Sequence, residues 1–194
     1  MHSSQTLMQV ANLHARNLDQ GFLSTLGPKF LFLMYQAIDE CEASVLIVEN
    51  DPSGVSMGFV TGAEGMRPIF RQMLKRLPVL IVALLPSLLN PIKVWRILEI
   101  LLHSKHSKEI KNLPPYELLS IAVDPYYRGQ GVSERLYSGL VSHCHSRGIH
   151  SFRIIVGENL HPAHRFYRRM GAHVVGDVQV HGGQNSLVYA QLTG

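Results

Sequence analysis

Residues 116–123, YELLSIAV, read as a strand and run directly into DPYYRGQG, residues 124–131, which opens a helical pattern from about 132 to 147. Glycine is a poor helix former. Two glycines at a helix entrance, Gly129 and Gly131, therefore point to a backbone that something must approach closely, with no Cβ in the way. A strand that ends in such a turn offers unpaired N–H groups at the positive end of a helix dipole, and phosphate is the usual guest. Arg128 adds a fixed positive charge beside them.

The rest of the chain supplies the elements this unit needs. Residues 7–19 and the segment from Gly27-Pro28 through KFLFLMYQAIDE read as helices, and Pro28 suits a first helical turn. SVLIVE (44–49) and VSMGFVT (55–61) read as a hairpin around a turn with Pro52 and Gly54. On the helix after the glycine loop, Leu136, Leu140, Val141 and Cys144 recur at helical spacing, and Gly148 stops it. FRIIVG (152–157) is a further strand, residues 162–170 a further helix closed by Gly171, and AHVVGDVQV and SLVYAQL are two last strands joined by HGGQN. The alternation predicts an α/β sheet with helices on its faces. No repeat, low-complexity tract or linker divides the chain, and 194 residues suit one domain, 1–194.

Residues 66–112 differ in character. They are leucine-rich, with helical periodicity in RQMLKRL and KVWRILEILLHS, and Pro78, Pro86 and Pro91 are expected to break them into two or three short helices. The apolar run at 77–89 is far shorter than the roughly 20 residues a spanning helix needs. Arg67, Arg71, Lys75, Arg76, Lys93 and Arg96 stand beside the leucines. This helical insertion is read as extra core, as a wall of the acceptor pocket, as a dimer interface, or as a membrane-surface contact through 77–102.

Composition narrows the class. Apolar residues make up 46% and charged residues 16%, which excludes a disordered chain. The net charge of +4 favours an anionic ligand, while no basic run interleaved with aromatics points to nucleic acid. The two cysteines, Cys41 and Cys144, have neither metal nor disulfide-framework spacing, and the N-terminal residues lack a signal-peptide pattern. A reducing cytoplasm is the expected compartment. His143 and His145 flank Cys144 on one helix and point to different sides of it, so no metal is expected there. His161 and His164 read as solvated.

The loop is not a P-loop, because it lacks the lysine and Ser/Thr of that pattern, and a dinucleotide fingerprint would need a third glycine where Glu134 stands. It does fit [QR]-x-x-G-x-[GA] after a V-x-P turn, in Val123, Pro125, Arg128, Gly129 and Gly131. About 30 residues on, Ala163, Phe166, Tyr167 and Gly171 fit A-x-x-[FY]-Y-x-x-x-G-F, with Ala172 in place of the phenylalanine. Over residues 116–172 the chain resembles the GCN5-related N-acetyltransferase (GNAT) superfamily. The resemblance implies the GNAT fold, a mixed and mostly antiparallel sheet with helices on both faces, and acetyl-coenzyme A as co-substrate without a metal.

Residue by residue, it implies that Arg128, Gly129, Gln130, Gly131, Val132 and Ser133 hold the pyrophosphate, with Ser133 where the family has Gly or Ala. Backbone at Ile121 and Val123 would meet the acyl end. Tyr167 corresponds to the family's tyrosine near the sulfur and is the candidate general acid. Asn159 is a candidate cofactor contact, although it stands four residues before Ala163 and Leu160 holds the family's usual asparagine place. Glu117, 11 residues before Arg128, matches the base of the histone-acetylating branch; a water relay is the alternative. Residues 24–38 are similar to acetyltransferases met in surface-polysaccharide synthesis. The expected activity is acetyl transfer to a small-molecule amine, with an amino sugar in first place, by a monomer or homodimer. A peptide or protein N-acetyltransferase and a non-catalytic acyl-CoA-binding module are the alternatives.

Overall fold

A computed structural model describes residues 1–18, 22–88, 113–180 and 184–194. Helix α1 (Ser4–Asn17) starts three residues earlier than its apolar pattern suggests, because Ser3 caps it: its side chain accepts from the Thr6 amide at 3.1 Å. Helix α2 spans Pro28–Glu40, with Pro28 in its first turn. Strands β1 (Ser44–Asn50) and β2 (Ser56–Ala63) form the expected hairpin. Helices α3 (Arg67–Leu74) and α4 (Leu77–Leu88) come next.

Pro78 stands in the first turn of α4, where its missing N–H costs nothing. Pro86, expected to break the helix, lies inside it. A proline there removes one hydrogen bond from a helix that has already run for two turns. The remainder of the insertion, 89–112, with Pro91, Lys93 and Arg96, lies outside the described residues.

The second half of the chain contains β3 (Glu117–Val123), α5 (Val132–Ser146), β4 (Ser151–Gly157), α6 (His161–Arg169), β5 (His173–Val180) and β6 (Gln184–Leu192). The six strands make one mixed sheet in the order β1-β2-β3-β4-β6-β5, and every pair is antiparallel except β3–β4. The parallel pair requires a crossover, which α5 provides.

Alternation along the strands sends side chains to two cores. On one face Leu46, Phe59 and Ala122 pack with α1, α2, α3 and α4. On the other Val60, Leu118, Phe152, Ile154 and Tyr189 pack with α5 and α6. Among the described residues, no helix is long and apolar enough to cross a membrane.

A buried polar chain crosses the first core. His14 Nε2 is 3.1 Å from Ser24 Oγ and His14 Nδ1 is 2.6 Å from the Tyr35 hydroxyl. That hydroxyl is 3.4 Å from Ser120 Oγ, which is 2.7 Å from Thr61 Oγ1. Ser24 Oγ donates to the Leu18 carbonyl. Because a carbonyl only accepts, the direction of each bond is set from that end. Ser24 spends its hydrogen on Leu18, so His14 Nε2–H donates to Ser24. A neutral imidazole then has only Nδ1 left as acceptor, and Tyr35 donates to it. Ser120 donates to Tyr35 and Thr61 to Ser120.

Burial holds His14 down to about 4, so it is neutral at physiological pH. In the unfolded chain it titrates near 6.5, so between these values the unfolded state binds the extra proton. This contribution is complete above about pH 6.5 and is lost as pH falls towards 4, by up to about 3 kcal/mol. Denaturant unfolding across that interval is expected to show this slope in the wild type and to lack it in His14→Gln.

Candidate functional site

The site begins where two strands part. Strand β3 pairs with β4 only at Glu117–Arg153 and Leu118–Ile154, and beyond these two residue pairs the strands diverge. Its other edge stays bonded to β2 as far as Val123. The second half of β3 is thus held on one side and open on the other. The register with β2 shifts between Thr61 and Gly62, which face Ser120 and Leu118, leaving Leu119 as an extra residue. Leu119 packs on the α1–α2 core, and Ser120 bonds Tyr35 on that same face. Two successive side chains on one face are the mark of a bulge, which bends the strand and re-aims the residues beyond it. Ile121 and Val123 then return to the opposite face.

The glycine loop continues from the end of β3. Gly129 has φ +76° and Gly131 has φ +74°, the left-handed region that a side chain disfavours. Gly131 is the N-cap of the 15-residue helix α5, and no side chain caps that end. Its first N–H groups have no partner within the helix.

The loop is braced from outside. Asp124 Oδ1 accepts from the Tyr126 amide at 2.9 Å, and the Gln130 side chain donates to the Tyr126 carbonyl at 3.1 Å. Arg135 donates to the Gln130 carbonyl at 2.9 Å and pairs with Glu49 on β1. The Tyr127 hydroxyl donates to Asp51 in the hairpin turn at 2.7 Å. Hydrogen bonds from Ser53 first, and then from Tyr127 and the Val55 amide, hold Asp51 down to about 2. It therefore remains an anionic acceptor for Tyr127 at neutral pH.

Between these parts lies a cavity of about 400 Å³. Asn17 and Leu18 at the end of α1 form one wall and Ile121, Ala122 and Val123 another. Arg128 and Ser133 line the loop side, and Leu160, Pro162, Ala163, Phe166 and Tyr167 the α6 side. The Arg128 guanidinium donates to Asn17 Oδ1 at 2.7 Å and to the Val123 carbonyl at 3.3 Å, tying the loop to both walls.

Tyr167 is 5% exposed, with its ring against Tyr137, Phe166 and Tyr189. Among the described residues its hydroxyl has no hydrogen-bond partner. Burial raises its phenol well above the ordinary range, so it keeps its proton.

Of the residues singled out from sequence, Ile121, Val123, Arg128, Ser133 and Tyr167 line the cavity together. Gly129, Gln130 and Gly131 form the adjoining loop. The Val132 side chain is buried in the core, which leaves its backbone to serve the site. Asn159 is exposed and absent from the lining, while Leu160 contributes. Glu117 lies at the far end of β3, roughly 13 Å of strand before Ile121. There it pairs with Arg153 at 2.8 Å, outside the cavity.

His164, expected to be solvated, is buried. Its Nε2–H donates to the Gly157 carbonyl at 3.0 Å while Nδ1 accepts from Tyr189 at 2.8 Å. It thereby clamps the end of β4 at the point where that strand has left β3. Sequence reasoning missed Asn17 and Leu18. No local signal marks them, because helix packing brings them in.

Residues 104–172 match the Acetyltransferase (GNAT) family. No curated protein matches the chain significantly. Among solved structures, the ribosomal-protein-S18-alanine N-acetyltransferase of Escherichia coli aligns with a TM-score of 0.60 at 13% identity, over 100% of this chain and 91% of that one. An N-acetyltransferase of Staphylococcus aureus gives 0.63 at 10% identity, over 100% and 96%. An aminoglycoside 6'-N-acetyltransferase complexed with coenzyme A gives 0.57 at 12%, over 96% and 89%. At these identities the structures speak for the fold, which is that of GNAT acetyltransferases, and the family match is confined to residues 104–172, the stretch that contains the glycine loop and α6.

Proposed function

We propose that this protein transfers the acetyl group of acetyl-coenzyme A to the amine of a small molecule. The observation that carries this reading is the open edge of β3 and the uncapped N-terminus of α5 meeting at one cavity. In this reading the amides from Gly129 to Ser133, with Arg128, take the pyrophosphate, and backbone N–H at Ile121–Val123 receives the thioester oxygen.

The amine nitrogen attacks the carbonyl carbon directly, and the C–S bond breaks. The thiolate takes the Tyr167 proton, and the amine's surplus proton leaves through water. Water is assigned that role because Glu117 is engaged by Arg153. The likeness of residues 24–38 to acetyltransferases of polysaccharide synthesis puts an amino sugar first. Cys41 and Cys144 are free thiols, in keeping with a reducing cytoplasm.

Thiol release from acetyl-coenzyme A across amino sugars, polyamines and peptides tests this reading. One amine class is expected to drive release. Tyr167→Phe is expected to lower turnover about a hundredfold, the lower end for a general acid. Gly131→Ala is expected to raise KM for acetyl-coenzyme A about tenfold, since a side chain in the left-handed region costs roughly 1–2 kcal/mol. Glu117→Gln is expected to leave turnover unchanged. Coenzyme A binding without release for any acceptor would favour a binding module, and no binding would overturn the proposal.

A membrane-surface contact is a separate part of this reading. On α3 and α4, Leu74, Leu77, Val79, Ile81, Val82 and Leu85 are 47–59% exposed, and Arg67, Arg71 and Lys75 are exposed nearby. Residues 65–88 contain no acidic residue. Such a surface suits anionic lipid. The protein is expected to sediment with phosphatidylserine vesicles and not with phosphatidylcholine alone. Arg71→Glu and Lys75→Glu should each weaken that binding by about fivefold or more.

A further inference from the structure

The polar chain from Leu18 to Thr61 does something the apolar core around it does not require. Its members sit among buried leucines and aromatics, where apolar side chains of similar shape would pack as well. It reaches both walls of the cavity. One end is the carbonyl of Leu18, which lines the α1 wall. Towards the other end stands Ser120, next to Ile121, where the β3 wall begins, with Thr61 on β2 as the last link.

Between Leu18 and Ser120 the links are Ser24, His14 and Tyr35, each with its donor direction set by the Leu18 carbonyl. Ser120 sits at the bulge, in the part of β3 that has no partner on the β4 side. A bulged, half-paired strand needs another restraint to keep one orientation. Thr61 on β2 supplies one at 2.7 Å, and the Tyr35 hydroxyl, 3.4 Å from Ser120 Oγ, supplies a second from beneath the sheet.

We propose that Tyr35 is a positioning residue for acyl transfer: through Ser120 it holds the bulge of β3, so that the Ile121–Val123 edge keeps a fixed orientation opposite Leu18. The proposal rests on the acetyltransferase reading for its kinetic consequence but not for its structural one. Tyr35 is fully buried, so it acts on the reacting groups only through the strand.

The test compares Tyr35→Phe, Ser120→Ala and the double variant with the wild type, all as full chains. Phenylalanine keeps the edge-on ring contact with Phe59, 5.1 Å between centroids, and removes only the hydroxyl. Each single variant is expected to bind coenzyme A as the wild type does. Turnover at saturation should fall about tenfold, the rate equivalent of one net hydrogen bond, with KM for acetyl-coenzyme A unchanged. The double variant should lose no more than Ser120→Ala alone, because that substitution already removes the Tyr35 link together with the bond from Thr61.

Hydrogen exchange at the amides of 119–123 should quicken in every variant, by about tenfold on the same reasoning. Wild-type turnover with only a lowered melting temperature would overturn the proposal and leave Tyr35 as ordinary core. Losses that add in the double variant would overturn it too, as would unchanged exchange at 119–123. The exchange experiment needs no acceptor and no turnover. Failure of the acetyltransferase reading would show in the wild type, as absent thiol release or absent coenzyme A binding.

Discussion

Everything at this site depends on the brevity of the contact between β3 and β4. Two residue pairs join them, and then the strands separate. A parallel pair that continued would bury the β3 edge in ladder hydrogen bonds and close the cavity. A pair that never formed would split the sheet. The separation has supports on each side: the Glu117–Arg153 ion pair where the strands meet and the His164 clamp on Gly157 where β4 ends. Glu117 therefore belongs to the joint between the strands, at a distance from whatever occupies the gap.

Magnitudes separate the forces that hold the fold from those that shape the site. A fully buried side chain such as Leu31, Phe59 or Ile154 is worth about 1.5–3 kcal/mol, and the two cores contain many of these. A net hydrogen bond is worth about 1 kcal/mol. The chain from Leu18 to Thr61 is thus a small part of stability, and its larger effect is on orientation. The same holds for the braces around the glycine loop. Tyr127 to Asp51 and Arg135 to Glu49 lie at exposed or half-exposed positions, where such pairs add little stability and chiefly fix geometry.

Most of the fold is legible in the sequence because its signals are local. Pro28, Gly148 and Gly171 mark helix boundaries, and the turn at Pro52 and Gly54 between two strand-like runs marks a hairpin. The glycine loop is the clearest signal, since Gly129 and Gly131 adopt the backbone that only glycine takes readily. The features that escape are non-local. Asn17 and Leu18 reach the cavity because α1 packs across β2 and β3, and no pattern within α1 records that. His164 looks like a polar residue on a short helix, but its two ring nitrogens find a tyrosine and a strand end brought together only by the sheet. Pro86 reads as a breaker, yet α4 runs through it at the cost of one hydrogen bond.

The family match covers residues 104–172, yet the cavity is not contained in that stretch. Strand β3 has its one long neighbour in β2, and the α1 wall lies more than 80 residues earlier in the chain. The recognisable segment is therefore not a portable cassette. Grafted alone onto another scaffold, it would bring the glycine loop but leave β3 with its β2 edge bare and its other edge covered by only two residue pairs. Such an edge invites pairing with other chains, so the excised segment would be prone to aggregate and would lack the α1 wall of the vessel in which the chemistry is proposed to occur.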